Sequence, residues 1–204
     1  MASSTEIYTQ LPLRVDRDTQ DISCPGGNPE LQSFLDQLNQ MHKVLSLDKR
    51  MDGVPPPPVP VNPARSGAIE KQRAAGNTAF TAGNYKEAVS KYSHGIAMAL
   101  TRPPWEPAPL MKEEIQILYS NRAQAHLLCN NYPEALADAA LSVDLKRQQN
   151  NKAHYRKAKA LKEMGRFKEA REALVFGLEY GEDAAMRTLL AEVEKSLEAR
   201  GIVF

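Results

Sequence analysis

Three times in 204 residues the same spaced set of small and aromatic side chains appears. Gly76, Gly83, Tyr85 and Ala88 stand at offsets 0, 7, 9 and 12; Ala123, Asn130, Tyr132 and Ala135 keep those offsets, as do Ala158, Gly165, Phe167 and Ala170. Small residues let two helices approach closely, a Gly or Asn takes the turn between them, and the aromatic fills their crossing. Such a hairpin cannot bury its apolar face alone, so successive copies stack and the open end needs a cover. Met186, Leu189, Leu190, Val193 and Leu197 form one apolar stripe in an otherwise polar stretch, the pattern of a covering helix. The expected fold is all-α: a solenoid of three helical hairpins plus a capping helix over residues 65–204, preceded by a small N-terminal docking segment.

Residues 1–53 are expected to form that segment, with a short extended piece (EIYTQLPLRV), a polar turn (DRDTQDISCPGG) and one helix. Asn28 is placed to cap the helix and Pro29 suits its first position. Leu31, Phe34, Leu35, Leu38 and Met41 then follow helical spacing. One amphipathic helix in about fifty residues buries too little surface to be stable by itself. This stripe therefore covers either a second polypeptide or the chain's own repeats. The proline run within residues 54–64 marks a stiff, extended linker, which favours the second polypeptide.

The 26 basic and 25 acidic side chains nearly cancel, so bulk charge does not direct the chain to nucleic acid or membrane. The N-terminus lacks a basic and an apolar signal region, and no run reaches the roughly 18–20 apolar residues of a membrane span. A cytosolic location without membrane insertion is expected. Cys24 and Cys129 are 105 residues apart without a CxxC partner and read as reduced thiols. No HExxH, GxSxG, P-loop or dinucleotide loop occurs, and His126 and His154 fall on packing positions. The chain reads as a binding module, not an enzyme, with no cofactor and no metal.

The stretches GNTAFTAGNYKEAVSKY, NRAQAHLLCNNYPEALADA and RKAKALKEMGRFKEAREAL resemble three tetratricopeptide repeats. Successive copies are 47 and 35 residues apart, against about 34 in that family. The first interval thus carries TRPPWEPAPLMKEE, whose prolines assign it to a loop or helix extension. Ala79 and His126 replace bulkier residues of the family pattern, and Gly95 and Ser142 replace its late alanine. In this family the first helix of each hairpin lines a concave groove. The resemblance puts Arg73 and Asn77 there in repeat one, Asn121 in repeat two, and Lys152 and Arg156 in repeat three.

These five residues resemble the two-carboxylate clamp of co-chaperone tetratricopeptide domains, with Arg73 in place of a lysine. The resemblance implies that the groove binds the acidic C-terminal tail, ending Glu-Glu-Val-Asp, of a cytosolic seventy-kilodalton heat-shock chaperone. Phe80 and Leu128, near the groove by register, are candidates for an apolar pocket. The layout of N-terminal segment, linker and terminal clamp domain is similar to the small tetratricopeptide subunits of the fungal endoplasmic-reticulum post-translational translocation complex. That implies a membrane-anchored partner subunit and a peripheral place on the cytosolic face of the endoplasmic reticulum. A free cytosolic co-chaperone is the alternative. Ten Lys or Arg against two Glu between residues 146 and 171 offer RNA or anionic lipid a weaker third reading, since no aromatic stacking platform accompanies them.

Overall fold

The computed structural model describes residues 11–47, 61 and 63–202. The chain divides into two compact units, Met1–Pro57 and Pro58–Phe204. In the first, β1 (Arg14–Val15) and β2 (Ile22–Ser23) pair antiparallel. Asp16 builds the turn between them, its Oδ1 accepting from the backbone N–H of Asp18 at 2.9 Å and of Thr19 at 2.8 Å. The expected polar turn therefore contains a strand, because Ile22 has two partners that sequence spacing does not show. Asn39 accepts from Ile22 N at 2.7 Å and donates to Ile22 O at 2.8 Å, completing the strand edge as a neighbouring strand would.

Asn39 belongs to α1 (Pro29–Leu47), whose first turn is capped by Asn28 Oδ1 accepting from Leu31 N at 2.8 Å. Phe34 is 68% exposed and Leu38 40%, while Leu31 and Met41 are half-buried. Leu35 differs from its expected docking role: at 5% exposure it belongs to a packed face. Residues 1–10, 48–60 and 62, including most of the proline linker, lie outside the described residues.

The second unit is the helical stack. Its hairpins are α2 (Pro63–Thr81) with α3 (Tyr85–Leu100), α4 (Ala108–Leu128) with α5 (Tyr132–Leu145), and α6 (Asn151–Glu163) with α7 (Phe167–Glu179). Pro63 and Ala64, expected in the linker, open α2 instead; proline at a first helical position loses no hydrogen bond. Gly83, Asn130 and Gly165 take the three turns with φ of +81°, +60° and +75°. Each turn closes with the same bond, from Asn84 N to Ala79 O, Asn131 N to His126 O, and Arg166 N to Leu161 O, all at 2.9 Å.

The small residues have their expected place. Ala88, Ala123, Ala135, Ala158 and Ala170 are fully buried, and a Cβ on Gly76 would come within 2.5 Å of Tyr92 Cε1. The segment between repeats is a loop, residues 101–107, followed by an added stretch of α4. Buried Arg102 fastens it, donating to Glu114 at 2.6 and 2.9 Å, to Ser66 Oγ at 2.7 Å and to Glu106. The closing helix α8 (Ala184–Glu198) is capped by Asp183 and buries Met186, Leu189, Val193 and Leu197 against α6 and α7.

Gly76→Ala tests this packing. Alanine is the better helix former by about 1 kcal/mol, yet the clash with Tyr92 forces α2 and α3 apart. A net loss of about 1–3 kcal/mol is expected in chemical denaturation; unchanged or increased stability would contradict the close approach.

Candidate functional site

The first helices of the three hairpins, α2, α4 and α6, lie side by side and enclose a cleft of about 850 Å³. Arg73, Asn121, Lys152 and Arg156 line it with Ser120 and Ile117. Asn77 joins them through Asn121, whose Nδ2 donates to Asn77 Oδ1 at 3.4 Å. The structure thus brings the five predicted polar residues together. Phe80 and Leu128 do not line this cleft. Phe80 packs on the first core and on Tyr85, ring centroids 5.4 Å apart; Leu128, 42% exposed, borders a separate depression beside Gly83 and Cys129.

The cations of the cleft differ in how they are compensated. Arg73 makes a two-pronged pair with Glu70 of its own helix, Nε and Nη2 each donating at 2.7 Å. That pairing raises the Arg73 pKa and lowers that of Glu70. The pair is largely solvent-facing, so its net strength is small and an arriving anion can compete for Arg73. Lys152 is exposed and has no side-chain partner among the described residues.

Arg156 is held inward. Its Nε donates to Gln124 Oε1 at 3.0 Å, and Nη1 donates to Ser120 O at 2.9 Å and Ser120 Oγ at 2.5 Å. No carboxylate pairs with it among the described residues. Burial pushes its pKa down to about 10, which leaves it charged at neutral pH. Nearby Arg122 is the contrast: Nε and Nη2 each reach the Asp138 carboxylate at 2.7 Å. Asp183, also on the cleft, is occupied as the cap of α8, accepting from Met186 N at 3.0 Å.

A buried amide network fixes the start of α6. Asn150 Nδ2 donates to Ser142 O at 3.0 Å and Lys146 O at 2.9 Å, and its Oδ1 accepts from Gln116 at 3.1 Å. The helix that carries Lys152 is thereby held beside α4. Ser120, Gln124 and Asn150 were not expected at the site. Ser120 and Gln124 are four apart beside Asn121 and so share a helix face that sequence spacing could have flagged; Asn150 precedes its helix and carries no such signal.

Elsewhere in the third repeat, Lys162 pairs with Glu192 at 2.5 Å, Arg166 with Glu169 at 2.5 Å and Arg171 with Glu194 at 3.0 Å. Part of the basic excess is thus neutralised locally. His154 is buried, its Nε2 2.9 Å from Arg147 O and its ring stacked on Tyr180. Among the described residues no cluster of His, Cys, Asp or Glu could hold a metal ion, and no helix is long and apolar enough to cross a membrane.

No protein-family model matches the chain. The ER protein translocation subcomplex subunit sec67 of Schizosaccharomyces pombe is 36% identical over 157 residues, 76% of this chain and 81% of that protein. In fold, the chain matches one from the Sec complex of S. cerevisiae, with a TM-score of 0.70 at 22% identity over 92% of this chain and 98% of that one. The second tetratricopeptide domain of human RPAP3, in complex with the HSP70 peptide SGPTIEEVD, matches with a TM-score of 0.50 at 25% identity, covering 62% of this chain and 98% of that domain. By its three-hairpin tetratricopeptide fold and its sequence, the chain belongs to the family of the ER protein translocation subcomplex subunit sec67.

Proposed function

We propose that this protein is a noncatalytic adaptor whose groove clamps two carboxylates at the end of an acidic peptide tail. The observation that carries this reading is Arg156, a half-buried cation with hydrogen-bonded support but no carboxylate partner among the described residues. Burying a charge without an ion partner is unfavourable, and a ligand carboxylate supplies that partner. Lys152 adds a mobile charge, Asn77 and Asn121 orient the ligand by amide donation, and Arg73 exchanges Glu70 for a ligand oxygen. Each charge-assisted bond is worth roughly 1.5–3 kcal/mol. After the loss of peptide freedom the sum leaves about −7 to −9 kcal/mol, near-micromolar affinity.

A tail ending Glu-Glu-Val-Asp offers an α-carboxylate and an Asp side chain next to each other. The peptide seated on the similar RPAP3 domain has that ending. We therefore assign the groove to the tail of a cytosolic seventy-kilodalton heat-shock chaperone. The kinship with a translocation subunit supports a place at the endoplasmic-reticulum channel, on its cytosolic face. There the first unit docks on a membrane-anchored partner through Phe34 and Leu38, flanked by Leu31 and Met41. Tethering raises the local concentration of chaperone and cargo at the channel.

Titration of the full chain with a tail peptide bearing a free C-terminal carboxylate tests the clamp. Micromolar binding is expected, with loss of at least about tenfold when the peptide is amidated, equivalent to roughly 1.4 kcal/mol. Binding indifferent to amidation would refute it. Arg156→Met separates function from folding: it should abolish binding while raising the stability of the free protein by roughly 0.5–2 kcal/mol, since it removes an uncompensated charge. Arg122→Met should instead lower stability by about 3 kcal/mol by stranding Asp138. For the first unit, replacing Phe34 and Leu38 by Asp should release the protein from membrane fractions. Retention there would disprove docking through this face.

A further inference from the structure

The hydroxyl of Tyr92 does something that packing does not require. The ring is 2% exposed and lies in the space that Gly76 leaves open. A phenylalanine would fill that space equally well. The hydroxyl, however, extends to the groove and donates to Asn77 Oδ1 at 2.8 Å. Asn121 Nδ2 approaches the same oxygen at 3.4 Å. An asparagine amide has two orientations of nearly the same shape, one presenting a donor and the other an acceptor. Two donors converging on Oδ1 select one orientation. They leave Asn77 Nδ2 without a partner among the described residues, on an exposed side chain at the cleft.

We propose that Tyr92 is a positioning residue of the groove, its hydroxyl holding the Asn77 amide so that Nδ2 donates to a ligand carboxylate. This role rests on the carboxylate-clamp reading. In the flipped orientation Asn77 would present Oδ1, and an acceptor facing a carboxylate is repulsive. Burial favours the neutral hydroxyl, which keeps a proton to donate, against the opposing pull of Arg156 and Arg73. Gly76 thus serves two ends with one omission: without a Cβ, it admits both the close helix crossing and the aromatic whose far end orders the groove.

The test is a double-mutant cycle in the full chain, with wild type, Tyr92→Phe, Asn77→Ala and the double variant each titrated with the free-carboxylate tail peptide. Thermal midpoints are measured alongside. Tyr92→Phe should weaken binding roughly 3- to 10-fold, the value of one lost hydrogen bond, with little change in midpoint. In the Asn77→Ala background it should have no further effect, because no amide remains to be oriented. Wild-type affinity in Tyr92→Phe, or the same loss with and without Asn77, would overturn the role of Tyr92 alone. A loss that merely tracks a fallen midpoint would also overturn it, showing a structural hydroxyl. If the wild type fails to bind the peptide, or binds its amidated form equally well, the clamp reading itself falls and the positioning role falls with it.

Discussion

Everything in the helical unit depends on how closely α2 and α3 can cross at Gly76, where the absent Cβ leaves room for the ring of Tyr92. Ala123 and Ala158 do the same for the later hairpins, each fully buried. Because every hairpin crosses in this way, the first helices come to lie next to one another as a wall, and their outward residues share one hollow. Glycine inside a helix is unfavourable by about 1 kcal/mol relative to alanine. Tight packing of a large buried aromatic against it offsets that. The groove is thus a consequence of the crossing, and the polar residues in it occupy positions that the packing leaves unclaimed.

Much of this architecture is legible in the amino-acid sequence, and the reason is periodicity. Turn residues are constrained by backbone sterics, so Gly83, Asn130 and Gly165, all at positive φ, announce themselves at a fixed offset. The expected polar residues of the groove were legible for the same reason, since the repeat register assigns each to a helix face. The features that stayed hidden have no period. Strand β2 is held by the Asn39 amide across seventeen residues. Arg102 ties the inserted segment to Ser66, thirty-six residues away. Asn150 secures α6 from a loop position. Each is a single polar side chain satisfying distant backbone or carboxylate groups, and only three-dimensional proximity reveals it.

The position of Leu35 and of the pair Phe80 and Leu128 shows a second limit. Helical spacing tells which residues share a stripe but not how wide the covered part of that stripe is. On α1 the stripe is divided, Leu35 buried and Phe34 exposed, because the helix rests on a short hairpin only. Phe80 and Leu128 follow groove residues by one or two turns, yet they sit where the helices end and the tight turns begin. There Phe80 is drawn to Tyr85.

The charges of the second unit then sort themselves by what each lacks. Arg122 has Asp138, a pair that joins α4 to α5, and Arg102 has Glu106 within the inserted loop and Glu114 on α4. Arg156 has comparable hydrogen-bonded support, from Ser120 and Gln124, but those groups are neutral dipoles. Dipoles orient a guanidinium without cancelling its charge, and burial then depresses its pKa. A structural arginine covered to this degree would be expected to have a carboxylate within reach. Arg73 stands between these cases, with a partner that solvent already weakens. The groove therefore joins one cation fixed in place, one without a side-chain partner among the described residues and one lightly held. On the clamp proposed above, a ligand with two adjacent carboxylates would meet Arg156 and Lys152 together while displacing only the weak Glu70 pair, whereas a single carboxylate would leave part of this charge uncompensated.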